Sequence, residues 1–281
     1  MKIIKDINKM QALVKAFKRQ GKKIGFVPTM GYFHEGHLSL IRQAKSENDI
    51  CLISIFVNPL QFGQKEDLKS YPRNFQRDCK LAKNSGVDLL FFPSANQMYS
   101  KGFLSEVYVN NLSQVLCGKS RPEHFKGVTT IVAKLFNITL PDIAYFGQKD
   151  FQQARIIERM SQDLNFPIEI RVMPIVRETD GLAMSSRNVY LSKQERRHAL
   201  ILYKSLCQAI RIIRQGCRSS AVVISSIKRL ISTVKSAKID YVGIVDTGEL
   251  KPRTVLSGEI AILLAVKIGH TRLIDNIILR V

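Results

Sequence analysis

Residues 28–40, PTMGYFHEGHLSL, follow the apolar run 24–27, and their reading decides the fold. Pro28, Gly31 and Gly36 mark a tight turn, and the apolar spacing of Leu38, Leu40, Ile41 and Ala44 predicts a helix starting near His37. A strand that turns directly into a helix leaves the first N–H groups of that helix unpaired. Together with the positive end of the helix dipole they favour an anion, and glycines let a phosphate approach the backbone. His34 and His37 add two imidazoles three residues apart. An isolated HxGH string is equally a turn carrying two polar side chains, so the surroundings must decide.

Working outward, short β-branched runs at 24–27, 50–57, 88–92, 142–146 and 168–172 alternate with helical patterns at 38–47, 75–84, 128–137 and 151–162. Alternation of this kind predicts βαβ units and a Rossmann-like parallel α/β sheet, with ligands beyond the carboxyl ends of its strands. From about residue 176 the pattern changes. Ala199, Leu202, Tyr203, Leu206, Ile210 and Ile213 make one helical face, Val223, Ile227, Leu230, Ile231 and Val234 a second, and strand-like runs follow at 239–245, 260–266 and 272–279. The expected organisation is a nucleotide-binding unit over 1–175, a hinge near 174–176 and a smaller α+β lid over 176–281.

Composition is that of a globular protein, with 281 residues and 45% hydrophobic content. The longest apolar run near the C-terminus, 261–266, is far below the roughly 20 residues a membrane helix needs, and the lysine-rich start does not read as a secretory signal. A cytoplasmic location and no membrane partner are expected. Five scattered cysteines without a CxxC pair argue against a disulfide framework or zinc knuckle, and Cys51 within 50–57 reads as a buried hydrophobe. The net charge of +20 favours polyanions without choosing among them. Lys15, Lys18, Arg19, Lys22 and Lys23 read as the solvated face of a first helix, and no nucleic-acid-binding motif accompanies them, so no nucleic-acid partner is expected.

Three more loops follow predicted strands. In 57–73, VNPLQFGQKEDLKSYPR, Asn58 and Gln61 flank Pro59, and neutral amides there suit a small polyhydroxylated substrate. In 146–153, FGQKDFQQ, Gly147 permits a turn, Lys149 offers an ammonium to a phosphate and Asp150 is placed to cap the next helix. In 177–192, RETDGLAMSSRNVYLS, hydroxyls and the Arg187 guanidinium can together grip a triphosphate.

These stretches, with RPEHFKGVTTIVAKLFN at 121–137, resemble in order and spacing the pantothenate synthetase (pantoate–β-alanine ligase) family over essentially the whole chain. The resemblance implies a Rossmann-like domain of HxGH nucleotidyltransferase type plus a small C-terminal domain covering the site. It also implies ATP- and Mg²⁺-dependent activation of pantoate to pantoyl adenylate, displacement of AMP by β-alanine, and a cytoplasmic homodimer. Carried onto this chain, the ATP loop is Met30, Gly31, Tyr32, Phe33, His34, Glu35, Gly36 and His37, with His37 as the catalytic histidine and His34 its partner. Gly147, Gln148, Lys149, Asp150, Val176, Met184, Ser185, Ser186 and Arg187 match the other nucleotide contacts, Lys149 and Arg187 being the phosphate cations. Gln61 and Gln153 match the residues that hold pantoate, Gln61 also lying near β-alanine.

An ionised substrate carboxylate is its own nucleophile, so the first step needs alignment and charge neutralisation rather than a protein base. The helix dipole is expected to disfavour a cationic His37 until polyphosphate binds. Three features depart from the family pattern: Gln148 stands where glutamate is usual, Tyr32 and Phe33 are bulkier than their counterparts, and Glu123 replaces a glycine, which is expected to restrict the backbone there. A nucleotidyltransferase that keeps the nucleotide in its product, and a basic nucleic-acid-binding protein, are the competing readings.

Overall fold

The computed structural model describes every residue except Lys65. Six strands, β1 (Lys2–Ile4), β2 (Ile24–Thr29), β3 (Ile50–Ile55), β4 (Leu89–Phe91), β5 (Ile143–Gly147) and β6 (Glu169–Met173), form a parallel sheet in the order β1-β4-β3-β2-β5-β6. The edge strand β1, too short to show a period, was not legible in the sequence. The helices are α1 (Ile7–Arg19), α2 (Glu35–Glu47), α3 (Phe75–Asn84), α4 (Ala95–Met98), α5 (Cys117–Ser120), α6 (His124–Thr139), α7 (Phe151–Asp163), α8 (Lys193–His198), α9 (Ile201–Arg214) and α10 (Ser220–Ile231).

Period-two alternation sorts the strand residues onto two cores. Phe26, Leu52, Leu89 and Ala144 pack with Met10 and Val14 of α1, Phe136 of α6 and Ile157 of α7. Their neighbours Val27, Ile53, Leu90 and Tyr145 pack on the other face with Ile41 and Ala44 of α2 and Ala82 of α3. Both faces are covered, which is why these strands are continuous apolar runs. Cys51 lies fully buried here, its thiol pushed up to about 12 by burial and the nearby Asp88 charge. Of the basic cluster on α1, Lys18 is more than a solvated charge: it pairs with Asp142, whose other oxygen accepts the Ile24 N–H at 2.7 Å.

The winding direction reverses at β2, which has β3 on one side and β5 on the other. Ligand crevices in open α/β sheets lie at such a point. The β2–β5 ladder is limited to Gly25 and Phe26, and Pro28, which has no N–H to extend it, follows two residues later. Beyond that point the carboxyl ends of the two strands line a cavity.

The strands β7 (Ala237–Asp246), β8 (Glu259–Ile268) and β9 (Thr271–Arg280) form an antiparallel sheet in sequence order. Ile260, Ile262, Leu264 and Val266 of β8 face Leu202, Leu206 and Ile213 of α9 and Val223 and Ile227 of α10. The alternate residues Ala261 and Leu263 join the core of the six-stranded sheet. Burial on both faces explains the unbroken apolar run 261–266.

Candidate active site

The loop after β2 makes an N-terminal cap from two histidines. His34 is the N-cap of α2 and its Nδ1 accepts the Gly36 N–H at 3.1 Å, while His37 Nδ1 accepts the His34 N–H at 3.4 Å. The helix therefore begins at Glu35, earlier than the apolar spacing alone indicates, because the histidines do what Ser and Glu do in an ordinary capping box. A Cβ on Gly36 would come within 2.9 Å of the His34 ring and would displace that ring from its capping position. With both Nδ1 atoms accepting, each neutral ring carries its proton on Nε2. The rings lie 4.1 Å apart between centroids.

Both imidazoles are held neutral. Burial lowers His37 to about 4, helped by the Lys149 charge, and burial with the neighbouring His37 lowers His34 to about 2. The direction agrees with the expectation for His37, but its main cause is burial rather than the helix dipole.

After β3, Asn58 is buried and fixes the Gln61 amide. Its Nδ2 donates to Gln61 Oε1 at 3.2 Å and to Gly127 O at 3.0 Å, while its Oδ1 accepts the Tyr99 hydroxyl at 2.7 Å. The Gln61 NH₂ is left on the side of Met30 Sδ, 3.1 Å away. Asn58 thus aims Gln61. Gly127 of α6 matters for the same reason: a Cβ there would meet Leu60 O at 2.3 Å, so only glycine lets α6 lie against the Pro59–Gln61 turn.

After β5, Lys149 Nζ lies 3.6 Å from Asp150 Oδ2. Asp150 occupies the N-cap position of α7 but makes no capping hydrogen bond, contrary to expectation. Gln152 and Gln153 divide their duties. Gln152 is buried, donating to Leu112 O and Val115 O at 2.8 Å, whereas Gln153 lines the cavity. After β6, Met184 N donates to Val176 O at 3.0 Å, closing a hairpin that presents Ser185, Ser186 and Arg187.

A cavity of about 210 Å³ brings together Met30, His34, Gly36, His37, Gln61 and Gly147. Lys149, Asp150, Gln153, Val176, Met184, Ser185, Ser186 and Arg187 complete its wall. Five residues of the anticipated site do not line it. Gly31 donates its N–H to Thr29 Oγ1; Tyr32, at φ 52°, stacks under Arg77; Phe33 is fully buried in the core; and Glu35 pairs with Arg42. Gln148 turns away, its Nε2 donating to Asn276 Oδ1 of β9 at 3.2 Å. Glu123 adopts φ −88° and ψ −9°, ordinary helical backbone, so the loss of glycine there restricts nothing.

Two groups were missed by sequence reasoning. Asp78 accepts the N–H groups of Tyr32 and Phe33, and its only sequence signal is a carboxylate on the buried face of α3 beside Ala82. His124, in the RPEHF stretch, has its Nδ1 2.8 Å from Gln61 O, and burial lowers it to about 3, so it is a neutral donor holding that turn.

The arrangement aligns two neutral amides with two Nε2–H donors, an ammonium and a guanidinium around one crevice, which suits an acid and a polyphosphate held together. Comparison with known proteins agrees with that chemistry. The family model described as Pantoate-beta-alanine ligase matches residues 2–278. The pantothenate synthetase of Heliobacterium modesticaldum is 54% identical over 281 residues, covering 100% of both chains, and that of Sulfurihydrogenibium sp. is 54% identical over 278 residues, covering 99% of each. Among solved structures, the pantothenate synthetase of Thermus thermophilus superposes with a TM-score of 0.94 at 41% identity, covering 99% of both chains. The Francisella tularensis pantoate-beta-alanine ligase, complexed with beta-gamma ATP and beta-alanine, superposes with a TM-score of 0.81 at 36% identity over 99% of this chain and 97% of that one. Matched by the family model over residues 2–278 and by these relatives over at least 99% of its length, the chain belongs to the pantoate–β-alanine ligase family.

Proposed function

We propose that the chain condenses (R)-pantoate with β-alanine, using ATP, to give pantothenate, AMP and pyrophosphate through a pantoyl-adenylate intermediate. The observation that carries this reading is the shared cavity wall, which holds Gln61 and Gln153 together with His34, His37, Lys149 and Arg187. In the first step a pantoate carboxylate oxygen bonds to the α-phosphorus and the bond to the pyrophosphate oxygen breaks. Gln61 and Gln153 orient the carboxylate, and the Nε2–H groups of His34 and His37, Lys149 and Arg187 meet the charge that grows on the departing pyrophosphate. In the second step the nitrogen of β-alanine, as its free amine, bonds to the acyl carbon, the bond from that carbon to the AMP oxygen breaks, and AMP and a proton are released. His37 is the catalytic histidine of this reading. Gly31, Tyr32, Phe33, Glu35 and Gln148, which lie outside the cavity wall, act by shaping the loops that bear the contacts.

Among the described residues no cluster of three His, Cys, Asp or Glu side chains forms a metal cage. Asp150, whose carboxylate lines the same cavity, would be the protein group to hold a magnesium ion there, and the ion when bound would supply neutralisation of phosphate charge. We further read residues 1–175 as the unit that binds nucleotide and pantoate and 176–281 as its cover, since Met184, Ser185, Ser186 and Arg187 close the crevice from the second part. On family grounds the protein is a cytoplasmic homodimer; no helix among the described residues is long and apolar enough to cross a membrane. The test is an AMP-release assay. AMP should appear only when pantoate and β-alanine are both supplied with ATP, and AMP release independent of pantoate would overturn the reading.

A further inference from the structure

Arg187, one of the two cations assigned to phosphate, already has an anion. Asp67 accepts its Nε and Nη2 at 2.8 Å each, and the two side chains are only 28% and 24% exposed. Burial pushes the Asp67 carboxyl up, but the Arg187 hydrogen bonds and charge outweigh it and hold the group below its usual range. The guanidinium also lies over the Tyr71 ring, 5.5 Å from its centroid, and Tyr190 of the same turn donates to Ser70 O at 2.9 Å. The neighbouring acid, Glu66, is forked by a different arginine, Arg121, whose Nη2 donates to Gln61 O at 3.3 Å. Arg187 lines the large cavity and Arg121 does not.

The edge of Arg187 taken by Asp67 is the Nε/Nη2 fork, the same edge that binds a phosphate with two parallel hydrogen bonds. A guanidinium this buried is costly without a counter-ion. We propose that Asp67 is a stand-in for nucleotide phosphate on Arg187: it neutralises and orients the guanidinium in the nucleotide-free protein, and a phosphate of ATP displaces it. Glu66, still forked by Arg121, keeps the chain beside Asp67 tethered after the exchange. ATP affinity is therefore set by a competition within the protein, and Asp67 lowers it. The inference rests on the assignment of Arg187 to phosphate made above.

The test is a double-mutant cycle on the full chain, reading the Kd of the α,β-methylene analogue of ATP by calorimetry for wild type, Asp67→Asn, Arg187→Gln and the pair, with adenosine as the phosphate-free probe. Asp67→Asn should bind the analogue about fivefold tighter, in keeping with loss of one partly screened ion pair. The gain should vanish in the Arg187→Gln background, and adenosine binding should not change. Unchanged or weaker binding in a folded Asp67→Asn, or an equal gain without Arg187, would overturn the inference. A wild-type chain that fails to bind the analogue at all would instead sink the nucleotide reading, and this inference with it.

Discussion

The Asp78 carboxylate on α3 accepts the backbone N–H of Tyr32 at 2.7 Å and that of Phe33 at 2.8 Å, pinning the loop that leads into the histidine cap. Tyr32 sits at φ 52°, a conformation a bulky residue holds only when its surroundings impose it. Asp78→Ala would leave the buried Phe33 N–H and the part-buried Tyr32 N–H without this acceptor. It should lower unfolding free energy by about 2–4 kcal/mol and raise the KM for ATP. Denaturant melts and steady-state kinetics check both. A variant as stable as wild type would mean that water or another acceptor replaces the carboxylate.

His34 and His37 should govern stability in mildly acidic solution. Their folded values of about 2 and about 4 lie below 6.5, so between these limits the unfolded chain binds more protons than the folded one. Stability carried by the neutral rings is whole above pH 6.5 and is lost as pH falls through about 4 for His37, and further toward 2 for His34. Urea midpoints measured from about pH 7.5 to 4.5 should fall, and less steeply in His37→Gln. At neutral pH, His37→Ala should slow pantoate-dependent ATP–pyrophosphate exchange by about 10²–10³-fold if its Nε2–H meets transition-state charge. Exchange at the wild-type rate would remove it from the mechanism.

Gly127→Ala tests whether α6 positions Gln61, the amide proposed to hold pantoate. The added Cβ would lie 2.3 Å from Leu60 O and must push the Pro59–Gln61 turn away. Overpacking of this sort costs about 1–3 kcal/mol, and the KM for pantoate should rise more than that for ATP. Equal changes in the two would argue that the helix merely supports the fold.

Gln148→Glu restores the acid usual in the family, yet its effect should be on packing rather than on nucleotide. Gln148 Nε2 donates to Asn276 Oδ1, while Asn276 Nδ2 donates to the carbonyls of Gln148 and Lys149 at 2.9 and 3.0 Å. A glutamate would set two acceptors against each other. Thermal melts should show a loss of about 1 kcal/mol, with less than about a twofold change in the KM for ATP. A large change in that KM would show that the side chain reaches the nucleotide after all.

Local physics was written in the chain. Period-two and helical spacing gave the central strands and the principal helices to within a few residues, because burial on one or both faces imposes those periods. The four loops could be placed at strand ends because glycine, proline and amide residues interrupt each apolar run where the sheet stops. Their order and spacing sufficed to identify the family, and with it the expected contacts of His37, Lys149, Gln61, Gln153 and Arg187. Only the tertiary structure could assign partners across long sequence separations. That Asp78 holds the Tyr32–Phe33 backbone, that Asn276 draws Gln148 out of the crevice and that Asp67 occupies the fork of Arg187 are all decided by which surfaces meet after packing. A hydrogen bond between distant residues leaves no period in the sequence, and the protonation of a buried imidazole depends on how much water the whole fold excludes.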